Sequence, residues 1–382
     1  MCLILFVRGF SVKLGSIFLY FWYLFFMIDP SKISELSRVA KLMVAPGKGI
    51  LAADESMKTV GKRFASIALE NNEDNRRAFR EMLLTVPGED KYISGVILHD
   101  ETIRQGMSSG KTFVEVLQAA GILPGIKVDL GLVDMGSEKL TTGLEGLDAR
   151  LKEYVALGAK FCKWRSVITI GTGGAGEALP TEENIRQNAK DLAAYALVCQ
   201  ENGLVPMVEP EVLLDGAHTQ AQAEQASERI LTALFEELRA AGVALEGTIL
   251  KTSMVLPGKD SGVKASPEQV AEATLRVFKK CVPAELAGEA FLSGGQGDVE
   301  ATENLNAINQ DKNLLWPLTF SYARALQDAA TKTWKGMPEN LQAAQNVFLH
   351  RAKMNSLASL GQYSSDMEQN VPQEAGATTS QD

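Results

Sequence analysis

The chain has 382 residues, 46% apolar and 22% charged, the balance of an ordinary globular protein. Its 38 Lys and Arg against 47 Asp and Glu leave a formal net charge of −9, which speaks against a partner bound by neutralising nucleic-acid phosphates. Three scattered histidines (His99, His218, His350) offer no converging imidazole set for zinc or iron. Four cysteines without short spacings fit a reducing cytosol better than a disulfide framework. The chemistry is left to Lys, Arg, Asp, Glu and Ser.

The first 28 residues differ from the rest. They hold nine aromatics and an apolar run, Ile17–Ile28, preceded by Arg8 and Lys13. A run of about 12 residues falls short of the roughly 20 needed to span a bilayer, and no small-residue cleavage site follows it. Met27-Ile28-Asp29-Pro30-Ser31-Lys32 reads like the beginning of a protein. The segment reads as an upstream extension, with a start-site artefact and a targeting or anchoring segment both left open. Function is read from residue 29 onward.

From there, short apolar runs ending in a charged or hydroxylated residue recur. In chain order they are Lys48–Asp54, Gly95–Asp100, Gly125–Asp129 and Ala159–Arg165, then Leu204–Glu211, Thr248–Val255, Ala290–Gly294 and Leu318–Arg324. Their length and mostly apolar character suit the buried strands of a parallel sheet. Helical patterns lie between them. Ser227–Ala241 aligns Ile230, Leu234 and Leu238 on one face and stops at Gly242, and Ser266-Pro267-Glu268-Gln269 is a capped helix start. Leu341–Leu360 is a further amphipathic stretch closed by Gly361. Eight strands separated by helices predict a single (β/α)8 barrel over residues 29–363, an architecture of about 250 residues. A doubly wound open sheet is disfavoured, since no GxGxxG follows the first strand. The tail from Ser364 to Asp382 has little apolar surface to bury and is expected to be mobile.

A packed barrel interior calls for Val, Ile and Leu, yet the strands end in charge: Asp54, Lys127 with Asp129, Lys163 with Arg165, Glu209 with Glu211, and Lys251. Residues two apart on a strand share a side, so these pairs project together. Any one of them can be a solvated strand end. As a set they fall where barrel enzymes assemble their sites. Lys251 lies in the apolar run Ile249–Val255. Burial and a nearby cation both lower a lysine's pKa, and a neutral amine can attack a ketone to form an electron-withdrawing Schiff base. Glu209 is then a carboxylate for moving protons, and Asp54 a base for a substrate hydroxyl. Ser293-Gly294-Gly295-Gln296 and Arg324 follow the seventh and eighth strands, the frequent phosphate site of this architecture. An acidic protein must hold an anionic sugar phosphate by a local positive mouth, here Lys58, Lys127, Lys163, Arg165 and Arg324.

The strings GILAADES (49–56), GIKVD (125–129), KWR (163–165), GLVPMVEPEVLLDG (203–216), EGTILKTSMVLPG (246–258), FLSGGQ (291–296), NLNAINQ (304–310), FSYARAL (320–326) and RAKMNSLASLGQY (351–363) occur in this order. With ENNEDNRRAFREMLLTVP (70–87), they resemble class I, Schiff-base fructose-bisphosphate aldolases over nearly all of residues 29–363. The resemblance implies Lys251 as the Schiff-base lysine, Glu209 as the proton shuttle with Glu211 beside it, and Asp54 as the base for the C4 hydroxyl. It implies Lys163 and Lys127 as active-site lysines with Arg165 next to them. Ser293, Gly294 and Arg324 match the group holding the phosphate of the dihydroxyacetone-phosphate half, and Ser56, Thr59 and Arg63 the region of the other phosphate.

The same resemblance implies reversible cleavage of fructose 1,6-bisphosphate without metal or cofactor, in the cytoplasm, by a homotetramer. Sedoheptulose 1,7-bisphosphate, a ketose monophosphate, or a non-catalytic scaffold on the same barrel are the alternatives. The chain departs from the family at Thr252-Ser253, where Pro-Asn is usual, at Leu130, where a lysine is common, and at Gly297, where a serine is usual. It also ends Ser380-Gln381-Asp382, where many members end in tyrosine.

Overall fold

The computed structural model describes residues 29–370, so the expectations for residues 1–28 and for the end of the tail lie outside the described residues. The strands are β1 (Gly49–Ala53), β2 (Ile93–Leu98), β3 (Leu123–Lys127), β4 (Leu132–Met135), β5 (Glu138–Thr141) and β6 (Phe161–Ile168). They continue as β7 (Gly171–Thr172), β8 (Ala178–Leu179), β9 (Val205–Val212), β10 (Ile249–Leu250), β11 (Gly288–Phe291) and β12 (Leu318–Tyr322). Eight of them close into a parallel barrel in the order β1-β12-β11-β10-β9-β6-β3-β2, with helices outside. This is the (β/α)8 TIM barrel that the alternation of runs predicts, and each of the eight predicted runs overlaps one barrel strand, with bounds off by up to a few residues.

The pleat sorts each strand's residues between two environments. Outward residues such as Leu51, Val96, Trp164, Val208 and Phe320 join the layer packed under the helices. Inward residues near the strand starts, among them Ile50, Ala52, Ile97, Phe161, Val205, Met207, Ile249 and Ala290, form a second apolar cluster. Helix Pro30–Met43 fills the same cluster with Leu36, Val39, Ala40 and Met43 and so plugs the N-terminal mouth of the barrel. Asp29 caps that helix through a 2.8 Å bond from Ser31 N, and Pro30 suits its first turn. Phe161 needs its neighbours small: a Cβ on Gly125 would lie 2.2 Å from its ring.

Two hairpins were not visible in the sequence. β4 pairs antiparallel with β5, and β7 with β8. The first is pinned to the barrel by side chains: Thr141 Oγ1 donates to Arg165 O at 2.7 Å, and Asn184 Nδ2 to Lys139 O at 2.9 Å. Buried Glu138 accepts from the Thr181 N–H and hydroxyl at the start of helix Glu182–Glu201.

The helices are close to expectation. Pro267–Cys281 starts with the predicted Ser266 capping box, and Leu341–Ser359 lies where the amphipathic stretch does. The helix expected from Ser227 begins at Gln220, under a Thr219–Gln222 capping box that the sequence also carries.

One expectation is corrected. The apolar run places Lys251 within a strand reaching Val255, but the ladder is only Ile249–Leu250, so Lys251 closes the strand instead of sitting within it. Lys251 N still donates to Val208 O at 2.9 Å. Beyond it, Thr252 Oγ1 and Ser253 Oγ take over the pairing, each donating at 2.9 Å to the carbonyls of Pro210 and Val212. In the tail, Ser365–Asn370 forms a 3-10 turn. Charge, not apolar burial, docks it: Glu368 accepts from Arg351 at 2.6 Å and from the Tyr363 hydroxyl at 2.9 Å, with His350 Nε2 3.3 Å away. Among the described residues no helix is long and apolar enough to cross a membrane.

Candidate active site

At the C-terminal mouth of the barrel lies a cavity of about 340 Å³. All thirteen residues that the family resemblance implies for the site line it: Asp54, Ser56, Thr59, Arg63, Lys127, Lys163, Arg165, Glu209, Glu211, Lys251, Ser293, Gly294 and Arg324. They come from β3, β6, β9 and the segments after β1, β10, β11 and β12. Each strand delivers its charge by the same step of two that built the plug: Ala52 then Asp54, Phe161 then Lys163 then Arg165, Met207 then Glu209 then Glu211, Ile249 then Lys251.

The centre is a buried chain of alternating charge. Lys163 Nζ stands 2.8 Å from Asp54, 3.2 Å from Glu209 and 4.0 Å from Asp129. Glu209 spans two lysines, its other oxygen lying 3.1 Å from Lys251 Nζ. Burial pushes the Asp54 and Glu209 carboxyls up, but Lys163 and Lys251 outweigh it and hold both below the usual carboxylate range. Burial likewise opposes the charge on Lys163, and Asp54, Glu209 and Asp129 reverse it, so Lys163 stays protonated far into alkali. On the rim Arg165 pairs with Glu211, and Lys127 bonds Asp129 at 2.6 Å.

The end formed by Ser293, Gly294 and Arg324, expected to take a phosphate, is built differently. Gly294 and Gly295 have φ of 59° and 109°, which a side chain would strain, and Gly294 brings backbone to the surface of the cavity. A Cβ on Gly295 would lie 3.6 Å from a guanidinium nitrogen of Arg324, so the two segments converge. Arg324 makes no ion pair among the described residues, unlike the other arginines that line the cavity. Opposite, Ser56 caps helix Met57–Ala65, with Thr59 N 3.3 Å from its hydroxyl. Arg63 is steered by Glu55 at 2.9 Å and by Gln327.

The positive mouth is only partly as expected. Six cations line the cavity against five carboxylates, so its wall is close to neutral in sum instead of strongly positive. Lys58 lies exposed on the first turn of its helix and is not part of the wall.

Asp129, named among the strand-end charges, also lines the cavity, while sequence reasoning missed Glu55, Gly131, Leu132 and Ser321. Ser321 could have been found from parity, being two beyond Thr319 on the same strand. Glu55 could not, because its burial depends on Arg63 and Arg80 arriving from two separate helices. Gly131 and Leu132 belong to the unforeseen β4–β5 hairpin. Tyr363, the last tyrosine of the chain, lines a different groove beside helix Asp298–Ile308 and takes no part here. Among the described residues no group of three His, Cys, Asp or Glu is placed to hold a metal ion.

Comparison with known proteins gives a consistent picture. A family model described as glycolytic fructose-bisphosphate aldolase class-I matches residues 35–381. The chain is 53% identical over 338 residues to fructose-bisphosphate aldolase 4, cytosolic, of Arabidopsis thaliana, covering 87% of this chain and 85% of that protein. It is 50% identical over 336 residues to fructose-bisphosphate aldolase of Dictyostelium discoideum, covering 87% and 93%. A Plasmodium falciparum fructose-bisphosphate aldolase, solved in ternary complex with TRAP and a small-molecule inhibitor, is similar in structure. Its TM-score is 0.86 at 44% identity, covering 88% of this chain and 97% of that one.

Proposed function

The chain belongs to the class-I fructose-bisphosphate aldolase family, and from that premise we propose how its own residues divide the work of the reaction. The reaction is the reversible aldol cleavage of fructose 1,6-bisphosphate to dihydroxyacetone phosphate and glyceraldehyde 3-phosphate, through a lysine Schiff base.

Lys251 is the nucleophile. The observation that carries this is its single close carboxylate, Glu209, at 3.1 Å, while Lys163 holds three. Glu209 is ionised and takes the ammonium proton, leaving the amine pair free to attack the C2 ketone. The same proton returns to the carbinolamine oxygen, which leaves as water, and the iminium forms. Asp54, kept ionised, then removes the C4 hydroxyl proton. The C3–C4 bond breaks, its electrons pass into the iminium as an enamine, and glyceraldehyde 3-phosphate departs. Protonation of C3 and addition of water to the iminium release dihydroxyacetone phosphate and the free lysine. Lys163, permanently charged between Asp54 and Glu209, stabilises both carboxylates as their protons come and go. Glu211 fixes Arg165 on the rim, with Lys127 beside it.

Ser293, Gly294 and Arg324 hold the phosphate of the ketone half, and Ser56, Thr59 and Arg63 receive the other. Residues 29–363 form the catalytic unit, apart from the apolar extension. Following relatives whose names include "cytosolic", we place the protein in the cytoplasm, as a homotetramer to be checked by sedimentation.

Borohydride trapping with dihydroxyacetone phosphate, followed by peptide mapping, tests the assignment. The expected adduct is on Lys251, and Lys251→Met abolishes it and lowers turnover at least about a thousandfold. An adduct on another lysine, or none in the folded protein, sinks the assignment.

A further inference from the structure

The loop assigned to the ketone's phosphate is held in place by side chains behind it. With glycine at 294 and 295, the loop has almost no side chain of its own to pack. Its anchor is the Ser293 carbonyl, which receives two donors from one residue: Gln296 N at 2.9 Å and Gln296 Nε2 at 3.1 Å. That leaves Gln296 Oε1 to accept, and Asn304 Nδ2 on helix Asp298–Ile308 fills it at 2.7 Å. The polarity is not free. Because a carbonyl can only accept, Gln296 must face it with its amine end, and Asn304 must then present its own. Both side chains are buried, at 6% and 2% exposure, so neither finds water as a substitute.

The same amide reaches the other half of the site. Gln296 Nε2 lies 3.8 Å from Met254 Sδ, three residues beyond Lys251, and Leu292 N donates to Thr252 O at 3.0 Å. The loop and the segment that closes β10 are therefore tied on both sides of Ser293.

We infer that Gln296, oriented by Asn304, is a positioning residue that sets the distance between the anion-holding loop and the Lys251 amine. It thereby makes the site selective for a ketone with a phosphate on the carbon next to its carbonyl. This rests on the phosphate reading given above. Without the amide the Ser293 carbonyl loses a donor and the loop one of its ties, while Lys251 and Glu209 keep their own contacts. Carbonyl capture is then preserved and the benefit of the phosphate is lost.

The experiment compares half-trapping concentrations by borohydride for dihydroxyacetone phosphate and for dihydroxyacetone, in the wild type and in Gln296→Ala and Asn304→Ala. A wild type that prefers the phosphorylated ketone is the baseline. Gln296→Ala is expected to lower that preference about tenfold, a buried hydrogen bond's worth, with dihydroxyacetone trapped as before. Asn304→Ala acts in the same direction by about threefold. If Gln296→Ala does not fold, the ratio in Asn304→Ala decides. An unchanged preference in the folded variants overturns the inference, and so does an equal loss for both ketones, which would put the effect on Lys251 alone. A wild type that traps both ketones equally overturns instead the assignment of the loop to phosphate.

Discussion

At the level of Ala52, Phe161, Met207 and Ile249 the barrel interior is apolar and closed by a helix; one step of two residues higher it holds Asp54, Lys163, Glu209 and Lys251. The two layers share strands, parity and near-complete burial. They differ in what satisfies them. The lower layer is stabilised by apolar area removed from water, at about 25 cal/mol per Å², and asks only for shape. The upper layer carries charges whose desolvation is repaid only by partners within hydrogen-bond reach. A barrel thus separates stability from chemistry along its axis. The boundary is stepped around the barrel: Met207 aligns with apolar Ile249 on β10 but with Lys163 on β6.

The most severe way to break this separation is to move charge down one step. Met207→Lys places an ammonium among Ile50, Phe161 and Val205 with no carboxylate in the cluster. A loss of more than about 4 kcal/mol is expected, read as failure to recover folded protein or as a collapse of the denaturation midpoint. Met207→Leu is the control and costs under about 1.5 kcal/mol. Comparable stability of the two would mean that the lower layer tolerates charge and that the boundary is not energetic.

Removing charge from the upper layer is expected to cost somewhat less. Lys163→Met leaves Asp54 buried without its ion-pair partner and Glu209 with Lys251 alone, a loss of about 3–5 kcal/mol at neutral pH. In the wild type both carboxyls are held low, so their contribution is present above the ordinary carboxylate range and is lost as pH falls through their folded values. With Lys163 gone burial gains weight and both values rise. The gap between variant and wild type therefore narrows toward pH 4 and is widest at pH 7. A gap that does not depend on pH would show that Lys163 acts by packing alone.

The layers also explain which parts could be read from sequence. Parallel strands buried on both faces are continuous apolar runs, so β1, β2, β3, β6, β9, β10, β11 and β12 stand out by composition. The β4–β5 hairpin does not, because Leu132, Val133 and Asp134 are exposed and its hold on the barrel comes from Glu138, Thr141 and Asn184, residues far apart in sequence. The docked turn Ser365–Asn370 is illegible for a similar reason: one carboxylate, Glu368, secures it to Arg351. In the site, the inner charges follow from parity on each strand. The phosphate roles of Ser56, Thr59 and Arg63 came from the family resemblance, since nothing in their spacing says which end of a substrate they face.

The smallest expected effect concerns a carboxyl on the wrong side of this division. Glu289 on β11 alternates with the inward Ala290, so it points outward into the helix layer, where it is 1% exposed and neither carboxyl oxygen has a hydrogen-bond partner among the described residues. Burial alone pushes its pKa well above the usual value. Glu209, equally buried, is shifted the opposite way by its lysines. The sign of the linkage reverses accordingly. Glu289 keeps its proton in the folded protein and loses it in the unfolded chain above the ordinary carboxylate range. Its cost is therefore absent at low pH and grows as pH rises from about 4.5 toward the folded value. Glu289→Leu, which suits a layer that includes Phe291 and Phe278, should stabilise the protein by about 1–3 kcal/mol at pH 7 and by less at pH 4. Turnover should not change, because Glu289 lies on the outer side of the strand and lines no part of the catalytic cavity. Chemical denaturation of both proteins at the two pH values measures the difference. A variant less stable at pH 7 than the wild type would mean that the carboxyl has a partner in solution and that the outer layer, too, is organised around charge.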